Sequence, residues 1–328
     1  MDWDWKRWIE RAAWSLSRDS PFLRTVLRPV GLRTNLRRRQ PARGSVFLPC
    51  GTQVQLYEPG RNYLSFELHW KGWEYYEPAS ALLFAELAKQ ANCVLDVGAN
   101  IGYFTFLACA APGPRKVWSF EPNPRLAAIL RHNLEDNRLN AEAVEAAISN
   151  VEGTADLALS WSDMSASLDG SFKGAPVTRS VEVRTVTLDG FAAAKALPSS
   201  GILIKIDVEG HEPQVLAGAS ALIERARPDI VLEVSDDYDP AILEQLADLG
   251  YRAWEIRQEG LRETDRLTLI RQGGLTVLNR LLTARPAEAV ADLSARIVPR
   301  LRKIDPRRTS QFRGKGPGDH QPPAISKA

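Results

Sequence analysis

Two stretches of this chain concentrate groups that could do chemistry. The first, VLDVGANIGYFTF at residues 94–106, is an apolar run that breaks at Asp96-x-Gly98-x-Asn100-x-Gly102 and resumes on a helical spacing. A strand, a glycine turn and a helix start present backbone N–H groups where nucleotides commonly bind. The second, GILIKIDVEGHEPQVLAGA at residues 201–219, carries a buried apolar strand into Asp207, Glu209, His211 and Glu212. Three acids and an imidazole at the mouth of a sheet are costly unless they are used or paired. The structural alternative is that Asp207 and Glu212 cap the next helix and pair with Lys205 or with arginines.

The first turn narrows its own ligand. A dinucleotide fingerprint would need glycine at 98, 100 and 103, and only Gly98 stands there, with Asn100 and Tyr103 at the other two positions. Asp96 lies where a pyrophosphate turn would avoid negative charge. A ligand carrying an ammonium and a sulfonium would welcome it, directly or through water, and S-adenosylmethionine meets that description. About twenty residues on, Glu121 in WSFEPNP stands where an acid accepts hydrogen bonds from ribose hydroxyls. Ala147, Ile148 and Ser149 end the next strand, on the adenine side. The plainer readings are a turn-capping aspartate and a loop acid, but spacing and context together favour the adenosyl cofactor.

In order along the chain, VLDVGANIGYFTFLA, FEPNP, VTLDGF, LIKIDVEGHEPQVLAGA and RPDIVLEVS resemble the FkbM-type methyltransferases, a branch of the class I S-adenosylmethionine-dependent enzymes. The resemblance spans roughly residues 74–285, and the I-D-V-E-G-x-E segment is its most specific part. It implies a Rossmann-like fold and methyl transfer, usually to a hydroxyl of a sugar, glycan or secondary metabolite. Carried onto this chain, Asp96, Gly98, Asn100, Gly102 and Glu121 become cofactor residues, and Asp207, Glu209, His211 and Glu212 the substrate-side cluster. SDMSASL at residues 162–168 resembles the family's serine-containing loop but departs from its fuller glycine-serine pattern.

Methyl transfer to oxygen needs in-line approach of the acceptor to about 3 Å and removal of its proton. Asp207 is expected nearest the methyl group, with Glu209 and His211 as candidate bases. A metal-assisted version would draw on Asp207, Glu209 and Glu233, since hard oxygen ligands suit magnesium. No compact ligand motif accompanies them, so no metal residue is assigned. An RNA or other anionic polymer is the competing acceptor. It is disfavoured because the turn after strand four reads Asp207-Val208-Glu209-Gly210 and not (Asp/Asn)-Pro-Pro-aromatic. A cofactor-binding scaffold without catalysis is the non-enzyme alternative.

The elements that must position these groups follow from pattern. With 328 residues and 44% hydrophobic content the chain can bury one large core, and its net charge of +2 argues against a general nucleic-acid coat. Cys50, Cys93 and Cys109 form no C-x-x-C spacing, no run reaches the ~18 apolar residues of a membrane span, and a cytoplasmic setting is expected. Residues 1–44 are rich in Trp and Arg and read as an extension packed on the main domain, with peripheral membrane contact as the alternative. Residues 45–73 read as a β-rich lead-in, with strands in SVFLP, TQVQLYEP and YLSFELHW. From 74 to 285, strands at 93–97, 117–121, 142–147, 201–207 and 229–234 alternate with helical stretches. The fold class is therefore α/β, a mostly parallel sheet with an antiparallel edge strand. A helical segment at 286–302 and a polar, Pro- and Gly-rich tail at 303–328 complete the chain.

Overall fold

The computed structural model describes residues 43–57, 62–160, 166–168, 177–234, 238–268, 270–272, 275–277 and 279–304. The readings of the N-terminal Trp/Arg segment, of most of the SDMSASL loop and of nearly all the tail fall outside these residues. The chain opens with a hairpin, β1 (Arg43–Phe47) and β2 (Gln53–Tyr57), then α1 (Tyr63–Lys71) and α2 (Pro78–Ala88). The next elements are β3 (Cys93–Val97), α3 (Tyr103–Ala110), β4 (Lys116–Phe120), α4 (Pro124–Asp136), β5 (Glu142–Val144) and β6 (Ala147–Ile148). After them come β7 (Gly153–Ser160), β8 (Ala166–Ser167), β9 (Val177–Val186), α5 (Leu188–Ala194), β10 (Ile202–Ile206), α6 (Glu212–Ala217) and α7 (Ser220–Ala226). The remainder is β11 (Asp229–Glu233), α8 (Ala241–Asp248), β12 (Arg252–Arg257), β13 (Gly260–Thr264), β14 (Ile270–Gln272), β15 (Leu275–Val277), β16 (Asn279–Thr283) and α9 (Ala287–Leu301).

An eight-stranded sheet runs β13-β12-β16-β11-β10-β3-β4-β5. From β5 to β11 every pairing is parallel, while β16 enters antiparallel between β11 and β12, and β13 adds an antiparallel edge. The order reverses between β3 and β10, and that switch point is where an open α/β sheet makes its ligand crevice. This is an α/β sheet, mostly parallel with an antiparallel edge, as the sequence pattern leads one to expect. Among the described residues no helix is long and apolar enough to cross a membrane.

Three local readings change. YLSFELHW is α1 and not a strand: the Asn62 side chain caps it by accepting from the Ser65 N–H, and every residue from Leu64 to Trp70 is buried. A segment buried all round shows no helical period, so strand and helix look alike in sequence. The stretch 142–147 is broken, with β5 in the main sheet and β6 in a second one. That second sheet, β6-β9-β7-β8, is not part of the expected pattern; its long arms β7 and β9 pair antiparallel, and SDMSASL falls between them in sequence.

The pleat of the main sheet sorts the chain into two cores. Val94, Leu203, Val231 and Leu281 face α2, α3 and α9, whereas Leu95, Ile202, Ile204, Ile206 and Leu232 face the opposite helices. Side chains alternate along a strand, so the residues two further along from the first set share its face. Those are Asp96, Lys205 and Glu233, with Asp207 two residues beyond Lys205, and, since β16 runs the other way, Asn279. The apolar floor of one face thus ends in a polar patch at the mouth of the sheet.

Candidate active site

The glycine turn joins β3 to α3 with little room around it. The N–H groups of Gly98 and Ala99 both donate to the Phe120 carbonyl, and the Asp207 N–H donates to Val97 O at 3.0 Å. Gly98 has φ +81°, and a Cβ there would fall 1.7 Å from the Asp207 carbonyl oxygen. Glycine at 98 is therefore what lets the ends of β3 and β10 converge. Asn100, at φ 52°, turns its N–H onto Glu121 Oε2 at 2.8 Å, and Gly102, at φ 98°, begins α3.

Glu121 is the hinge of this half of the site. Its Oε1 accepts from the Asn123 N–H at 2.9 Å while Oε2 holds Asn100, so one carboxylate fixes both the glycine turn and the entry to α4. Burial pushes its pKa up to about 7 against the pull of those two N–H groups. Each oxygen keeps a second lone pair, which suits an acceptor for ribose hydroxyls. Asp96 is also buried, and its Oδ2 takes the Thr105 hydroxyl at 2.6 Å, a bond that ties β3 to α3. Burial raises it to about 6, with Thr105 and Lys205 opposing. Ile148 lies in the core below, and Ser149 beside it places Oγ 2.9 Å from His211 Nε2.

The second half divides the expected cluster. Asp207 Oδ2 pairs with Lys205 Nζ at 3.2 Å, and Lys205 is completely buried, 4.9 Å from the centre of the Phe104 ring. Burial alone would lower the lysine pKa, but Asp207, Glu77 and Glu233 more than reverse it, and the group stays charged. Glu212 points elsewhere. It is wholly buried, accepts from the N–H groups of Val208 (3.1 Å) and Gly210 (3.0 Å), and takes the Tyr238 hydroxyl. Its carboxylate closes the 207–212 turn on itself, which is the work of a scaffold group and not of an acid facing an acceptor. Glu209, at φ 56°, sits at the bend of that turn.

Sequence alone did not bring Glu77 here. It precedes Pro78 at the start of α2 with φ 44°, and its Oε2 accepts from Asn279 Nδ2 at 3.1 Å. Oxygen atoms of Glu77, Asp207 and Glu233 all lie within 4.8 Å of one another. Of the expected hard-ligand trio Asp207, Glu209 and Glu233, the described structure therefore keeps two and exchanges Glu209 for Glu77. Burial raises both Glu77 and Glu233, and for Glu233 the neighbouring Asp207 and Glu77 add to it. Nothing local announced Glu77, since its place depends on how α2 packs over the sheet. The parity of Glu233 with Val231, and of Asn279 with Leu281, was readable.

Comparison with known proteins bears on this arrangement. Residues 96–253 match the methyltransferase FkbM domain family. The hexuronic acid methyltransferase AglP of Haloferax volcanii is 27% identical over 158 residues, which is 48% of this chain and 62% of the relative. The chain thus spans less than two thirds of that relative's length. Among solved structures, methyltransferase FkbM from Methylobacillus flagellatus is 14% identical with a TM-score of 0.36, covering 59% of this chain and 44% of that one. An O-methyltransferase from Bacillus cereus in complex with SAH is 15% identical, TM-score 0.37, covering 63% and 80%. The fold rests on the strand order and not on these two likenesses. The family match begins at Asp96 and ends within β12, and over those residues the chain is similar to the methyltransferase FkbM domain.

Proposed function

We propose that the chain transfers a methyl group from S-adenosylmethionine to an oxygen of a sugar or glycan. The observation that carries this is Glu121, a buried acid at the end of β4 whose two oxygens organise both the glycine turn and the next helix. That is the geometry a ribose-binding acid needs, and Asp96 beside the glycine turn disfavours a pyrophosphate there. The donor set fits the cofactor: a close-packed glycine turn, an acid for the ribose, and buried negative charge from Asp96 nearby. When bound, the cofactor supplies an electrophilic methyl group.

This chain's own residues then have separable roles. Asp207 stands at the carboxyl end of β10, beside the turn, held by Lys205, and is the group placed to receive or orient the acceptor hydroxyl. Glu209, on the same turn, is the remaining candidate base. His211 we assign to positioning, because its Nε2 is engaged with Ser149. We also propose residues 74–285 as the bounds of the catalytic unit, since Glu77 and Asn279 fall inside them and outside the matched segment.

A sugar acceptor is supported by the family match together with the hexuronic acid relative. Incubating the full chain with methyl-labelled S-adenosylmethionine and a panel of hexuronic acid and neutral hexose glycosides tests it. Label should appear in a glycoside, and Asp207→Ala should remove it. Transfer to RNA oligonucleotides with none to any sugar would contradict the reading.

A further inference from the structure

We propose that Glu77, Asp207, Glu233 and the side-chain oxygen of Asn279 form a binding site for one hard divalent cation. The cluster alone would be an acidic patch; Asn279 makes it more. Only 6% exposed, it has its carboxamide at the cluster, with Nδ2 3.1 Å from Glu77 Oε2, and its Oδ1 has no hydrogen-bond partner. A buried amide oxygen without a donor is costly, and nearly every such atom in a folded protein finds a partner. Asn279 is also the cross-strand partner of Glu233, so its carboxamide, bonded to Glu77 through Nδ2, stands beside two of the three acids. Rotation of the amide by half a turn exchanges its oxygen and nitrogen at little cost.

Charge and distance agree with that occupant. Three carboxylates lie around one buried ammonium, Lys205, which leaves two formal negative charges in a partly buried place. A divalent cation neutralises that excess in one step. The three carboxylate oxygens lie within 4.8 Å of one another, close enough for one hard cation with oxygen ligands to touch all three. A zinc site would call for nitrogen or sulfur ligands, and the set has none. Glu77 and Asn279 lie outside residues 96–253, so the site is assembled by elements flanking the matched segment.

The site shares Asp207 with the proposed acceptor side, but its test needs no cofactor or acceptor. Manganese, titrated into the metal-free full chain at pH 8 and followed by the paramagnetic resonance of the free ion, should bind at one equivalent per chain. Glu233→Gln and Glu77→Gln should each weaken that binding by about tenfold or more, and Asn279→Ala by several-fold. Thermal unfolding in chelator shows which variants remain folded, and manganese should raise the unfolding temperature of the wild type but not of Glu233→Gln. Absence of stoichiometric binding to the wild type would overturn the proposal and leave protons on two of the acids as the counter-charge. Equal binding by wild type and a folded Glu77→Gln or Glu233→Gln would overturn it too.

Discussion

At the scale of the residue, the site is defined by side chains whose partners decide what they can do. Glu121, Glu212 and Asp96 are all buried acids, yet two backbone N–H groups orient Glu121 towards the turn, Tyr238 and a turn close over Glu212, and Thr105 locks Asp96. Three of the non-glycine residues with positive φ, Glu77, Asn100 and Glu209, gather at this mouth. Such conformations cost about 1–3 kcal/mol and persist where surrounding structure enforces them. His211 carries the sharpest residue-level expectation. Because its ring joins the 207–212 turn to Ser149, His211→Ala and Ser149→Ala should both weaken S-adenosylmethionine binding by about 1 kcal/mol, with little change in kcat at saturating cofactor. Equilibrium binding and steady-state kinetics on both variants check this, and a large fall in kcat with unchanged binding would make His211 the base.

At the scale of the element, the mouth is held by short connections and not by long helices. α6 and α7 are six and seven residues, split at Gly218, and the turn before α6 depends on Glu212. Removing that carboxylate strands two partly buried N–H donors and the Tyr238 hydroxyl. Glu212→Ala should therefore destabilise the chain by about 2–4 kcal/mol, and Tyr238→Phe by about 1 kcal/mol, in urea unfolding. A loss under 0.5 kcal/mol for Glu212→Ala would return that residue to the acceptor side. The elements were legible where pattern and burial coincide: β3, β4, β10 and β11 lie within a residue of their expected places. The pattern failed at α1, whose helix is buried on every side, and at β6–β9, where register with a distant partner decides pairing. Of the site, the glycine turn, Glu121 and the Asp207 segment were legible because each is contiguous. Glu77, Asn279 and the Ser149–His211 contact arise only when separate elements pack.

At the scale of the whole molecule, the fold concentrates buried acids at one end of the sheet, and stability must depend on pH accordingly. Asp96 at about 6 and Glu121 at about 7 lie above the range of about 4 that they have when unfolded. Between about pH 4 and pH 7 the native state then binds more protons than the unfolded chain. Stability of the ligand-free protein should fall as pH rises through that window and level off above it, with Glu121 contributing at most about 3 kcal/mol. Urea unfolding of wild type and Glu121→Gln at pH 5.5 and pH 8 isolates this contribution, and parallel pH dependences would contradict it. The same residue carries the most direct test of the account, which holds that the turn from Asp96 to Gly102 and Glu121 together bind the methyl donor. Calorimetric titration of S-adenosylmethionine into the full chain should give one site, weakened about 5- to 150-fold by Glu121→Ala, the loss of about 1–3 kcal/mol for hydrogen bonds to a charged group. No binding to the wild type, or equal affinity in a folded Glu121→Ala, would contradict it.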